Sequence, residues 1–246
     1  MINNFYLKIL DFLINLIDLT NRIKIISFLK KKTLNKKLVI FDVGAHKGET
    51  LKIFKNNFNF EKILCFEPNK KIFKTLIKKY DYLKNSNIFF INCGLSDKIE
   101  LKQLNVLQDT SSSTFSKINE DSAYFRRKKK IIDLFSTNAF YKKVNVNVKT
   151  ISYFIRKYNL DRIDILKIDT EGSEFKILNG VEKKYFEKIN FIYFEHHYDL
   201  MLDKGYKFSD INELLKNNNF KMIFKIKMKF RKTFEYIYEK KNRFKK

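Results

Sequence analysis

Five short stretches bring acids, histidines and glycines together in patterns with chemical consequence: DVGAHKG at 42–48, FEP at 66–68, NCGLSD at 92–97, KIDTEGSE at 167–174 and FEHH at 194–197. In the first, Gly44 lets the backbone turn sharply after an apolar run, and Gly48 permits close approach of a ligand at a helix start. His46 stands where the dinucleotide fingerprint GxGxxG needs its second glycine, which disfavours a pyrophosphate cradle. Glu67 follows Asp42 by 25 residues, near the spacing of about 20 for an acid that grips ribose hydroxyls. A glycine loop and a ribose acid without a phosphate site suit a nucleoside cofactor, S-adenosylmethionine. The expected contacts are the loop residues Gly44, Ala45, His46 and Gly48, with Asp42 on the charged amino-acid part, Glu67 on the ribose, and Ser96 and Asp97 beside the adenine.

Such clusters work only if strand ends carry them. LVIFD (38–42), KILCFE (62–67), NIFFIN (87–92), IDILKID (163–169) and NFIYFEHH (190–197) read as apolar strands, several buried on both faces. Stretches with helical spacing alternate with them, and VNVNVKT (144–150) adds a further alternating run. FKMIFKIKMKF and TFEYIYEK form a closing hairpin with a turn at Lys232, and Ser209 is a candidate cap for the helix before it. The expectation is an α/β, doubly wound, mostly parallel seven-stranded sheet with a C-terminal antiparallel hairpin over 38–246. Residues 105–143 break the rhythm with TSSSTF and FRRKKK, and read as a substrate lid insertion. Residues 1–37 form an amphipathic helical extension in which Asp11, Asn15, Asp18 and Arg22 interrupt any signal-peptide core or membrane span. That helix either packs on the domain's own sheet or lies at an anionic membrane surface with Lys30–Lys32.

VIFDVGAHKGET, FEP, NCGLSD, LKIDTEGSEFKILNG and YFEHH, in that order over residues 38–197, resemble the FkbM-type family of S-adenosylmethionine-dependent methyltransferases. His46 replaces a commoner asparagine, and Ser152 a frequent aspartate. The resemblance implies a class I methyltransferase (Rossmann-like) fold and O-methylation of a hydroxyl on a sugar, glycan or secondary metabolite.

A hydroxyl acceptor must lose its proton as it attacks, so a general base is needed within hydrogen-bonding reach. Asp169, Glu171 and His196 are the candidates, and spacing does not choose among them. Asp169, Glu195 and His196 also make an oxygen-rich set for a divalent ion, although orientation and a base suffice for such transfers.

Fifteen of the +24 formal charges lie in residues 1–37 and 221–246, and the middle is only mildly basic. The single proline, Pro68, excludes the NPPY-like and Pro-Cys motifs of base-directed nucleic-acid methyltransferases. Ribose-directed RNA methylation and a non-catalytic interaction module retaining the fold are the remaining alternatives. Cys65 and Cys93 read as reduced core residues of a cytoplasmic protein, with peripheral contact at the inner face of the membrane through the N-terminal helix. Nothing in the sequence sets the oligomeric state.

Overall fold

The computed structural model describes residues 20–241, except 35, 84–85, 108–112, 134–140, 199–200 and 229–231. Helix α1 (residues 20–32) precedes β1 (Leu38–Val43), α2 (Glu49–Asn57), β2 (Phe60–Phe66), α3 (Lys70–Lys79), β3 (Ile88–Ile91) and β4 (Gly94–Leu95). There follow β5 (Glu100–Leu107), β6 (Ser113–Thr114), β7 (Lys117–Ile118), α4 (Ala123–Asp133) and β8 (Tyr141–Lys149). The chain closes with α5 (Ile151–Lys157), β9 (Ile163–Ile168), α6 (Glu174–Asn179), β10 (Ile189–His197), β11 (Leu202–Asp203), α7 (Phe208–Asn217), β12 (Phe220–Lys227) and β13 (Thr233–Lys240).

The main sheet has seven strands in the order β12-β13-β10-β9-β1-β2-β3. β10, β9, β1, β2 and β3 run parallel, and β13 is antiparallel to both its neighbours. This is the doubly wound sheet with a closing hairpin that the alternation predicts. β1 is buried along its whole length, so its odd and even residues feed two cores. Val39, Phe41 and Val43 join α5, α6 and α7 on one face, while Leu38 and Ile40 join α1, α2 and α3 on the other. Helix α1 packs through Ile25 and Leu29, both almost fully buried, and each contributes about 1.5–3 kcal/mol of apolar burial. Asn21 fixes the same helix by donating to the Lys227 carbonyl at 3.1 Å.

VNVNVKT does not enter the main sheet. β8 pairs antiparallel with β5 in a second, four-stranded sheet, order β4-β8-β5-β6, and the described elements between these two strands are β6, β7 and α4. Residues 108–112 and 134–140 of the expected lid lie outside the described residues, as do 1–19 of the expected N-terminal extension. Among the described residues no helix is long and apolar enough to cross a membrane. Both cysteines are buried free thiols. Ser209 lies inside the first turn of α7, and the Asp210 carboxylate accepts the Lys207 N–H that precedes the helix at 2.8 Å.

Candidate active site

The glycine loop after β1 is sewn to the tip of β2. Gly44 N and Ala45 N both donate to the Phe66 carbonyl, at 3.0 and 2.9 Å. The Glu67 carboxylate accepts from His46 N at 3.0 Å and from Asn69 N at 2.8 Å. Gly44 has φ +78°, and a Cβ there would lie 1.9 Å from the Asp169 carbonyl oxygen, so only glycine lets β1 and β9 end this close together. His46 also has positive φ (49°), and its Nδ1 lies 3.2 Å from Glu49. Burial raises the Glu49 pKa, but the His46 hydrogen bond and charge outweigh it and hold that carboxyl down to about 2. Gly48 departs from its expected role. A Cβ on it would strike the Tyr80 ring at 2.3 Å, and Tyr80 OH donates to its carbonyl, so this glycine makes room for α3 rather than for a ligand.

Above this loop lies an inner cavity of about 360 Å³, within the range of small-molecule sites. Gly44, Ala45, His46, Glu67, Asp169 and Glu171 line it, together with Cys93, Gly94 and Leu95. Ser96 and Asp97 do not. β4 pairs with β8 and carries the chain away after Leu95, so Ser96 turns to hydrogen-bond Asp97 and Lys102 instead. The expected pair beside the adenine, Ser96 and Asp97, is therefore displaced from the cavity, and Cys93, Gly94 and Leu95 line it in their place.

Asp42 also lies off the cavity wall. It is fully buried beneath the loop, where Lys167 Nζ meets its Oδ1 at 3.0 Å, the Gly44 carbonyl at 3.2 Å and Asp169 Oδ2 at 3.7 Å. Burial opposes charge on Lys167, but Asp42 and then Asp169 outweigh it and hold the ammonium above the ordinary lysine range. Sequence reasoning missed Lys167, although its position two residues before Asp169 puts both on one face of β9.

At the end of β10, successive side chains point to opposite faces. Glu195 and His197 share the face of Lys167; His196 is on the other. His197 Nε2 lies 3.2 Å from Glu171 and 3.3 Å from Glu195. Burial first, and then the neighbouring Asp169 carboxylate, push the Glu195 carboxyl well up, so it favours the protonated form. His196 is packed against Tyr198, Tyr206 and Phe208, and its buried Nδ1 has no hydrogen-bond partner among the described residues. Burial lowers its pKa to about 3, which makes it a poor base at neutral pH. The histidine that joins the acids is thus His197, not His196, and the set Asp169, Glu195 and His196 is not gathered on one face. Among the described residues no group of three or more His, Cys, Asp or Glu can hold a metal ion.

Glu174, fully buried, accepts from Thr170 Oγ1 at 3.2 Å, from Gly172 N at 3.0 Å and from Tyr206 OH. It thereby fixes the loop that presents Glu171, which itself has φ +53°. Beyond His197 opens an outer groove of about 1520 Å³, between the β5–β8 hairpin and the start of α7. Phe115 lines both spaces; Glu171 lines the inner one and His197 the outer.

A family model described as the methyltransferase FkbM domain matches residues 42–222. The chain is 29% identical over 167 residues to methyltransferase sdnD of Sordaria araneosa, a match covering 61% of this chain and 62% of that protein. It is 22% identical over 182 residues to methyltransferase 1 of Beauveria bassiana, covering 74% and 71%. Among solved structures it resembles methyltransferase FkbM from Methylobacillus flagellatus, with a TM-score of 0.50 and 18% identity over 82% of this chain and 44% of that one, a likeness of fold. The chain therefore spans less than two thirds of the length of the Sordaria and Methylobacillus proteins.

Proposed function

The chain belongs to the FkbM methyltransferase domain family, and we propose that it transfers the methyl group of S-adenosylmethionine to a hydroxyl of a polyhydroxylated acceptor, a sugar, glycan or secondary metabolite. The observation that carries this reading is the Glu171–His197 pair, 3.2 Å apart, which joins the inner cavity to the outer groove.

The inner cavity fits the donor. The Gly44–His46 loop supplies close backbone, Glu67 a carboxylate for ribose hydroxyls, and Cys93–Leu95 with Phe66 an apolar wall for a base. When bound, the donor supplies an electrophilic methyl group on a sulfonium. The protein's part is to orient an acceptor hydroxyl towards it and take up the proton. Glu171 and His197 can receive that proton where the two spaces meet, and Glu195 lies against the same histidine nitrogen. Asp169, at the floor of the cavity, is the remaining candidate base.

The outer groove supports an uncharged or mildly charged acceptor. Lys117, Lys143, Lys204 and Lys207 face it, balanced by Glu120, Asp121, Asp203 and Asp210. A polyanion such as RNA calls for a surplus of positive charge instead. Amides (Gln103, Asn105, Asn119) and aromatic rings (Tyr141, Tyr198) offer hydrogen bonds and stacking to a polyhydroxylated ring system.

Labelled S-adenosylmethionine supplied with extracted glycans, small metabolites and RNA tests the reading. Label is expected in an alkali-stable ether of the first two fractions. Incorporation confined to RNA would replace it with the ribose-directed alternative.

A further inference from the structure

Asp42 cannot hold the donor's amino-acid end directly, because Lys167 and the loop backbone lie between it and the cavity. A different residue reaches that place. Arg22, on α1, lines the inner cavity, and it also lines a small adjoining cavity of about 40 Å³. Three other residues line both spaces: Thr50, Lys167 and Asp169. Glu67, Pro68 and Cys93–Leu95 line only the inner cavity, which gives it two ends. One, at the tips of β2 and β3, has the ribose acid and the apolar wall. The other, at the tips of β1 and β9, has Arg22.

Arg22 is half-buried, and among the described residues its guanidinium makes no hydrogen bond or ion pair. Its backbone is well fixed, since Asn21 beside it is tied to the Lys227 carbonyl and Ile25 one turn later is in the core. A guanidinium held over a cavity, partly shielded from water and with no partner of its own, matches a planar carboxylate through paired N–H donors.

We propose that Arg22 binds the carboxylate of the donor's methionyl part, so that helix α1, which precedes the residues matched by the family model, completes the cofactor site. Asp169 lines the same end. The proposal rests on the S-adenosylmethionine reading, and the two fail in different ways.

The test is calorimetric binding of S-adenosylmethionine and of decarboxylated S-adenosylmethionine, which keeps the ammonium and lacks only the carboxylate. The full-length protein should prefer the complete cofactor by roughly 10- to 100-fold, the worth of a hydrogen bond between charged groups. In Arg22→Ala that preference should vanish, with the decarboxylated analogue bound as before, and Arg22→Lys should retain part of it. A preference that survives Arg22→Ala overturns the proposal. So does an equal loss for both ligands, which would mean that the substitution only displaces the helix. If the unaltered protein binds neither ligand, the donor reading itself falls and takes this one with it.

Discussion

His196 and His197 are neighbours at the tip of one strand, yet they inhabit opposite kinds of chemistry. His197 lies on the face where Asp42, Lys167 and Glu195 gather charge under the cavity, and two carboxylates reach its Nε2. His196 lies on the face of Phe194 and Tyr236, in an aromatic cage that drives its pKa to about 3. Residue type alone says nothing here. A half-turn of the strand decides which imidazole can move a proton and which remains neutral.

The widest separation between the two should appear in methyl transfer. Glu171→Gln and His197→Asn are expected to lower kcat by about 10²- to 10⁴-fold, the contribution of a positioned general base. Donor binding should be little changed, because Glu67 and the glycine loop remain. His196→Phe should leave kcat nearly unaltered. Steady-state kinetics of the three variants, with binding measured separately, check this. A fall in kcat for His196→Phe as deep as that for His197→Asn would erase the distinction.

The charged face should also be the more fragile towards loss of a partner. Lys167→Met leaves Asp42 buried without its counter-charge, and removal of one member of such a pair costs about 3–5 kcal/mol. The double variant Asp42→Asn, Lys167→Met should recover much of that loss, since no uncompensated charge remains. Urea unfolding measures both. If the single and double variants were equally unstable, the pairing would matter less than the packing of the lysine stem.

The sequence located most of these positions but misjudged several orientations. The turn after β1, the acid ending β2 and the acids after β9 are legible because strand ends and glycine spacing are local signals. The burial of Asp42 is not, because the lysine that covers it lies 125 residues away in the chain and meets it only through the β1–β9 register. Gly48 reads as a ligand glycine until Tyr80 is seen to fill the space. His197 could have been found, since strict alternation along NFIYFEHH places it with Glu195. β8 reads as a strand from VNVNVKT, but its partner across the irregular segment is a long-range choice that composition does not reveal. The helical pattern of SEFKILNGVEKKYFEKI is interrupted at Gly180, which follows the end of α6 and where a Cβ would lie 2.4 Å from the Ser96 carbonyl oxygen.

The smallest and most specific difference between the two histidines should lie in acid stability. An unfolded chain protonates His196 below about pH 6.5, whereas the folded protein does so only near 3. Between those values the unfolded state binds more protons, so stability falls as pH drops. From pH 7 to pH 5 this group alone can remove at most about 2 kcal/mol. Glu49 contributes nothing in that interval, because its depressed pKa matters only below the ordinary carboxylate range. Glu195, pushed up by burial, acts with the opposite sign, but it does so equally in the unaltered protein and in a variant of the other face. His196→Phe should therefore lose less melting temperature between pH 7 and pH 5 than the unaltered protein. Identical losses would mean that the aromatic cage admits enough water to charge the ring.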